Sequence, residues 1–330
     1  MTLSRRGMLV GTAALMAATA VRASGRDLLH IEGPAFGARW SLRIAAGADS
    51  TALVEAVTGV VASVDAEMSP YRPDSALTRF NATQSTDWHP LPNAMLTTLH
   101  AAQRVAHRTG GAFDPTLGGV TGRYGFGPIT GIPAGRFDGL ALAPGGARKA
   151  HPRQTLDLCG IAKGHALDRA VAAVAALGHQ DFLIEMGGEV RTRGRHPDGR
   201  EWRVGVDNPL PGASDLWGSV APGEAALATS GDRINAYQLG ARRFGHIIDP
   251  RSGEPARSGL ASVSVLAGDA MTADALATAL FALGTEHGAA LAQSAGIPAL
   301  FLIRDRGAQA TGLRAFFTGG FADHIVAQEA

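Results

Sequence analysis

Residues Asp157 to Asp168 read D-L-C-G-I-A-K-G-H-A-L-D. Gly160 and Gly164 bracket a lone lysine, Lys163, and an Ala/Val-rich stretch follows. A carboxylate, a tight glycine turn, a lysine and a helix start let backbone N–H groups and one cation face an anion. The string is neither a G-x-x-x-x-G-K-[ST] phosphate loop nor a G-x-G-x-x-G dinucleotide fingerprint. The same residues also read as a plain strand-to-helix turn. In that reading a short strand through Thr155 and Leu156 runs in, and Lys163 is solvated.

Far downstream, Asp274 and Thr278 stand four apart, so on a helix both oxygens project from one face. Mg²⁺ takes oxygen ligands and keeps several waters, so one carboxylate, one hydroxyl and a backbone carbonyl suit it. The competing reading sets Asp274 on the helix dipole and Thr278 on the carbonyl four residues back. His246 precedes Ile247-Ile248-Asp249-Pro250. It titrates near neutral pH and suits a general base, or else it is a hydrogen-bonded turn histidine. Phe113 and Asp114, in a glycine-flanked loop, suit a nucleobase-like or isoalloxazine-like ring, or else are a core phenylalanine and a turn aspartate. Tyr71, in a loop held by Pro70 and Pro73, could stack on such a ring or cap a surface. Gly187-Gly188-Glu189 and the segment from Ala228 to Asp232 are turns where backbone can approach a ligand. No H-E-x-x-H, G-x-S-x-G or zinc spacing occurs, which disfavours zinc hydrolysis and an elbow-type serine nucleophile.

These residues need elements to hold them. The chain has 330 residues, 45% apolar and 18% charged, so it can bury a large core and disorder is not expected. A net charge of +1 gives no sign of a nucleic-acid partner. The single cysteine, Cys159, excludes an internal disulfide and a cysteine-based metal site. Apolar spacing predicts helices over 51–68, 93–108, 161–177, 271–283 and 286–295, with Asn93 as an N-cap and Gly178 and Gly284 as stops. Strand patterns fall within 28–45 and over 182–186, 202–206, 225–229, 234–239, 261–266 and 300–303. Strands clustered between helices predict an α+β domain rather than strict βαβ alternation, of one lobe or two.

The amino terminus carries Ser4-Arg5-Arg6 before an apolar run from Met8 to Val21 and a small residue, Ala23. This reads as a twin-arginine export signal cleaved after Ala23, leaving 24–330 as one domain, or else as an uncleaved amphipathic anchor. The run, about 14 residues, is short for a bilayer span. No cysteine at the cleavage point means no lipid anchor. No later segment reads as long and apolar enough to cross a membrane, so a periplasmic protein is expected.

Taken in order, these segments resemble the ApbE family, the FAD:protein FMN transferases. The matching stretches are MSPYRPDSALTRFN from Met68, TGGAFDPTLGG from Thr109, DLCGIAKGHALDRA from Asp157, LIEMGGEVRTRG from Leu183, ALATSGD from Ala226, HIIDPRSGEP from His246 and DAMTADALATALFALG from Asp269. The resemblance implies a single large T-fold-like domain of mixed or antiparallel sheets with packed helices, and a central cleft for FAD and metal. It also implies a Mg²⁺-dependent enzyme that moves the FMN half of FAD onto a threonine or serine hydroxyl of an acceptor flavoprotein and releases AMP. Position by position, Asp274 and Thr278 match metal-binding side chains, with the carbonyl of Ala162 as a backbone ligand. Tyr71, Ala112, Phe113, Asp114, Asp157, Lys163 and Ile247 match FAD-contacting positions. His246 matches the residue that activates the acceptor hydroxyl. Phe36 stands where the family often has a methionine that meets the flavin. Cys159, Glu189 and His165 also depart from commoner residues, and none removes an expected metal ligand. A Tat-exported form without a lipid anchor is similar to the member associated with nitrous-oxide respiration (NosX), whose acceptor would be the membrane flavoprotein NosR. Two other functions fit the same residues: a Mg²⁺-dependent FAD pyrophosphatase, and a non-enzymatic flavin carrier.

Overall fold

Alternating apolar residues build the strands, and nine of the strands build the main sheet. In Ala38–Ala45, Trp40, Leu42 and Ile44 are buried while Arg39 and Arg43 face out. In Phe182–Met186, Phe182, Ile184 and Met186 join one apolar core and Leu183 joins a second, on the opposite face. The computed structural model describes residues 21–22, 28–130, 136–240, 242–257, 259–305 and 312–326. The expected export signal lies outside these described residues, apart from Val21 and Arg22.

The main sheet has nine strands, all paired antiparallel, and their order across the sheet is their order along the chain. They are Val21–Arg22, Leu28–Ala35, Ala38–Ala45, Phe182–Met186, Glu189–Arg193, Ala226–Gly231, Leu260–Ala267, Ala299–Arg304 and Leu313–Thr318. Four excursions leave this meander. The longest, from Ala45 to Phe182, carries the helices Ser50–Met68, Asn93–Arg108 and Ala162–Ala176, two shorter helices and a three-stranded sheet. The helix Ala270–Ser294 fills the last excursion and packs against the central strands. Both faces of the sheet are covered, so Leu260–Ala267 is buried along nearly its whole length. A nine-stranded antiparallel sheet with an apolar core on each face makes this an α+β fold.

Several expected boundaries move. Pro92, not Asn93, stands at the N-cap of Asn93–Arg108, and no side chain caps it. The strands expected from Trp202 and Ile234 begin at Val204 and Ala236. The two helices expected after Met271 adjoin within Ala270–Ser294, and Gly284 (φ 77°, ψ −173°) breaks the helix between them. This stretch is long and apolar enough to cross a membrane, contrary to the reading that no later segment is. Its face against the sheet is buried: Ala273, Ala277, Leu280 and Phe281 sit in the core.

No strand runs through Thr155 and Leu156. The side-chain amide of Asn81 takes the place of a neighbouring strand there. Its Nδ2 donates to the Leu156 carbonyl (2.8 Å) and its Oδ1 accepts from the Leu156 N–H (2.7 Å). A buried extended segment must satisfy its backbone somewhere, and here one amide does so. Among the described residues, Phe36 is the one non-glycine residue with a positive φ, 50°. It forms the tight turn Phe36-Gly37 between two strands, where asparagine or glycine is usual.

Candidate active site

The cleft begins with how two helices dock. Asp168, from Ala162–Ala176, accepts the N–H groups of Ala270 (2.9 Å) and Met271 (3.0 Å). These are free donors at the start of the next helix, so Asp168 acts as a cap supplied by its neighbour. Asp269 caps the same helix from within, at Thr272 N (2.7 Å). Arg191 ties the junction by donating to Asp168 (3.1 Å) and to the Gly268 carbonyl (2.9 Å). Gly164 allows the close approach, because a Cβ there would lie 2.2 Å from the Ala270 carbonyl oxygen. Gly164→Ala is therefore expected to cost about 3 kcal/mol by overpacking against backbone that cannot yield. The urea midpoint of the variant, at unchanged m, measures this.

That docking sets Asp274 over the first turn of Ala162–Ala176. Its Oδ2 accepts the Gly164 N–H (3.1 Å) and its Oδ1 lies 3.8 Å from Lys163 Nζ. Asp274 does meet a helix N-terminus, but the neighbouring helix's and not its own. Lys163 Nζ also donates to Glu189 Oε1. Glu189 is 1% exposed and Asp274 3%. Burial raises both carboxyl pKa values, against the pull of the Lys163 charge. Burial works against Lys163's charge as well, but Asp274 and Glu189 outweigh it and push its pKa up. Thr278, one turn beyond Asp274, has its hydroxyl 3.3 Å from Ser230 Oγ. Gly160 packs beneath: a Cβ there would lie 3.1 Å from Thr278 Oγ1 and 3.2 Å from the Phe113 ring.

His246 follows the short strand Arg242–Gly245. Its Nδ1 lies 3.2 Å from the Asn235 carbonyl, which also accepts the His246 N–H (3.1 Å). A carbonyl only accepts, so Nδ1 carries the proton and Nε2 of the neutral ring is left as the basic atom. Burial lowers the His246 pKa, the Asn235 contact opposes this and the Lys163 charge adds to it, with a net shift below the ordinary 6.5. His246 is thus a hydrogen-bonded turn histidine whose Nε2 is left as its basic atom.

A cavity of about 1400 Å³ gathers these groups, and all twelve residues singled out in the sequence line it. Phe36 and Tyr71 reach it from loops, Tyr71 with two-thirds of its surface exposed. Phe113 and Ala112 are core residues that show an edge to it. Asp114 uses both oxygens within the fold, on Thr116 N (2.8 Å), Thr116 Oγ1 (2.6 Å) and Phe137 N (3.3 Å), so it shapes the loop as a turn aspartate. Asp157 caps its own turn at Cys159 N (2.9 Å). Its N–H joins the Pro115 carbonyl (2.7 Å) and so links the two motifs. Ala162, Lys163 and Ile247 also line it. Cys159 opens onto the cleft, burial and then Asp157 raise its pKa, and nothing in the structure requires a thiol there.

The site contains residues that sequence reading did not assign. Glu189 and Ser230 both fall in segments read as turns for backbone approach, but Glu189 opens the strand Glu189–Arg193 and Ser230 lies within the strand Ala226–Gly231, paired with Val263, so the second expected turn is a strand. An aromatic ladder also flanks the cleft: Phe126 stacks on Tyr237 (5.3 Å) and Tyr237 on Phe244 (5.2 Å). Among the described residues no three His, Cys, Asp or Glu side chains gather as an all-protein metal cage.

One large cleft thus brings together a lysine–carboxylate floor, aromatic side chains and an imidazole. Comparison with known proteins places the chain in a family. The chain belongs to the ApbE family, whose model matches residues 36–301. It is 33% identical over 299 residues to the FAD:protein FMN transferase of Vibrio cholerae, covering 84% of this chain and 88% of that one. The solved flavin transferase ApbE of Vibrio cholerae superposes with a TM-score of 0.80 at 30% identity, over 93% of this chain and 99% of that one. The apo flavinyl transferase ApbE of Pseudomonas stutzeri gives the same TM-score and identity over 93% of this chain and 100% of that one.

Proposed function

We propose that this protein splits FAD at its diphosphate, moves the FMN half onto a threonine or serine hydroxyl of an acceptor flavoprotein and releases AMP, with Mg²⁺ as the required cation. The observation that carries this reading is the meeting of His246, Lys163, Asp274 and Thr278 on one cleft. At about 1400 Å³ the cleft exceeds the roughly 300–1000 Å³ of ordinary ligand pockets, which suits a dinucleotide plus an acceptor segment.

The residues fit a hard cation. Two buried carboxylates share one ammonium, and burial penalises the charge of both, so a further cation beside them is favoured. Asp274, the Thr278 hydroxyl and the Ala162 carbonyl would hold the ion, with water completing its shell. When bound, it supplies charge neutralisation on the diphosphate. Lys163 adds a fixed positive charge to the same anion. Tyr71, Phe36 and Phe113 give the flavin and adenine aromatic walls, while Ala112, Asp114, Asp157 and Ile247 shape the remaining surface. His246 Nε2 takes the hydroxyl proton as the hydroxyl oxygen attacks the phosphorus of the FMN half. A P–O bond forms to the acceptor, the bridging P–O bond breaks, and its electron pair leaves with AMP.

Only neutral His246 can take that proton. Its pKa lies below 6.5, so the active form is already dominant at neutral pH. The kcat/KM for transfer is expected to fall as pH drops below 6.5, checked by its pH profile. An acid limb centred above 6.5 would count against His246 as the base.

The twin-arginine start supports export with cleavage after Ala23, which sets the reaction in the periplasm. A NosR-type membrane flavoprotein is the acceptor this export route favours. The test is to mix the full chain with FAD, Mg²⁺ and an acceptor domain carrying the threonine. Covalent, UV-fluorescent acceptor on a denaturing gel supports transfer. Free FMN and AMP with unlabelled acceptor indicates a pyrophosphatase, and unchanged FAD a carrier.

A further inference from the structure

We infer that Glu189 is a positioning residue that holds Lys163 off Asp274, keeping one oxygen of Asp274 open to a divalent cation. The inference rests on the cation reading above. Glu189 follows the Gly187-Gly188 turn, where both glycines have positive φ (64° and 106°), and this turn delivers its side chain into the floor of the cleft. The side chain is 2% exposed. One oxygen takes the Lys163 ammonium; the other, Oε2, is buried with no hydrogen-bond partner.

The geometry at Asp274 explains why this matters. Its Oδ2 is already engaged by the Gly164 N–H. Its Oδ1 lies 3.8 Å from Lys163 Nζ, inside ion-pair reach but beyond hydrogen-bond distance. A small swing of the lysine would close that gap and set an ammonium against the oxygen left to a cation. The lysine stem runs beside Gly187, where a Cβ would lie 3.4 Å from its Cδ. In a buried site an ammonium is drawn to the nearer carboxylate. Glu189 is that carboxylate, closer to Lys163 Nζ than Asp274 is. Without it, Lys163 competes with the cation for Asp274. The rival role for Glu189 is direct ligation through the free Oε2.

Mn²⁺ binding to the full chain, read from the electron paramagnetic resonance signal of free Mn²⁺, separates these roles. Glu189→Gln should weaken Mn²⁺ about tenfold. Glu189→Asp keeps the charge and should stay within about threefold of wild type. The double variant Lys163→Met with Glu189→Gln removes the competitor and should recover affinity to within about threefold. A double variant as weak as Glu189→Gln, or a Glu189→Gln protein that binds like wild type, overturns the proposal. If Glu189→Gln alone does not fold, the double variant decides by the same criterion, since it leaves no unpaired lysine. Asp274→Ala is the control for the parent reading. If it keeps Mn²⁺, the cation reading and this one both fall. If it loses Mn²⁺ while Glu189→Gln is unmoved, only this one does.

Discussion

Asp274→Ala is expected to lower FMN transfer by about a thousandfold or more, the size of losing several kcal/mol of charge neutralisation on a diphosphate. The residue is central for a geometric reason. It is held by a bond to the Gly164 N–H of another helix, and that helix pair is fixed by Asp168 and the missing side chain of Gly164. Alanine removes the proposed cation ligand and also strands the Gly164 donor, so a second variant is informative. Asp274→Asn keeps an acceptor for Gly164 and loses the charge. It should fold with a urea midpoint near that of wild type and still transfer poorly at ordinary Mg²⁺. Full transfer by either variant at that concentration would sink the metal assignment.

His246→Ala is expected to slow transfer by about 10²–10⁴, the usual range for a positioned general base, with FAD affinity within a few-fold of wild type. The separation follows from placement. The imidazole is anchored by Asn235 from its own loop and makes no hydrogen bond to the lysine–carboxylate floor. FAD binding is read by quenching of flavin fluorescence and transfer by single turnover at saturating FAD. Lost binding with normal transfer at saturation would remove His246 from the base role.

What the sequence showed and hid divides along chain separation. Residues within one contiguous motif were legible, because glycine turns and helical spacing fix their mutual positions. The Asp157–Asp168 stretch and the Asp274/Thr278 pair are of this kind. Pairs made by tertiary docking were not. Nothing local announces that Gly164 N–H will meet a carboxylate 110 positions away, or that Lys163 will share itself with a glutamate 26 positions on. The strand expected at Leu156 failed for a related reason. An apolar extended run looks like a strand whether its partner is a neighbouring strand or, as here, one asparagine side chain. Helix 270–294 shows the limit of composition: apolar enough for a bilayer, it is the packing centre of a sheet.

The sheet's order, the same as the order of its strands in the chain, has a consequence for how folding entropy is distributed. Neighbouring strands are joined either by tight turns or by excursions, and the excursion from Ala45 to Phe182 is by far the longest. Closure entropy grows only logarithmically with length, so this one junction adds little more than the shorter ones, yet it is the least local strand pairing in the main sheet. The excursion carries Tyr71, the Phe113 loop and the Lys163 motif, while His246, Asp274 and Thr278 come from beyond it. A ligand that spans the cleft therefore works as a non-covalent staple across the widest loop, and by mass action its affinity is added to the stability of the junction that is hardest to close.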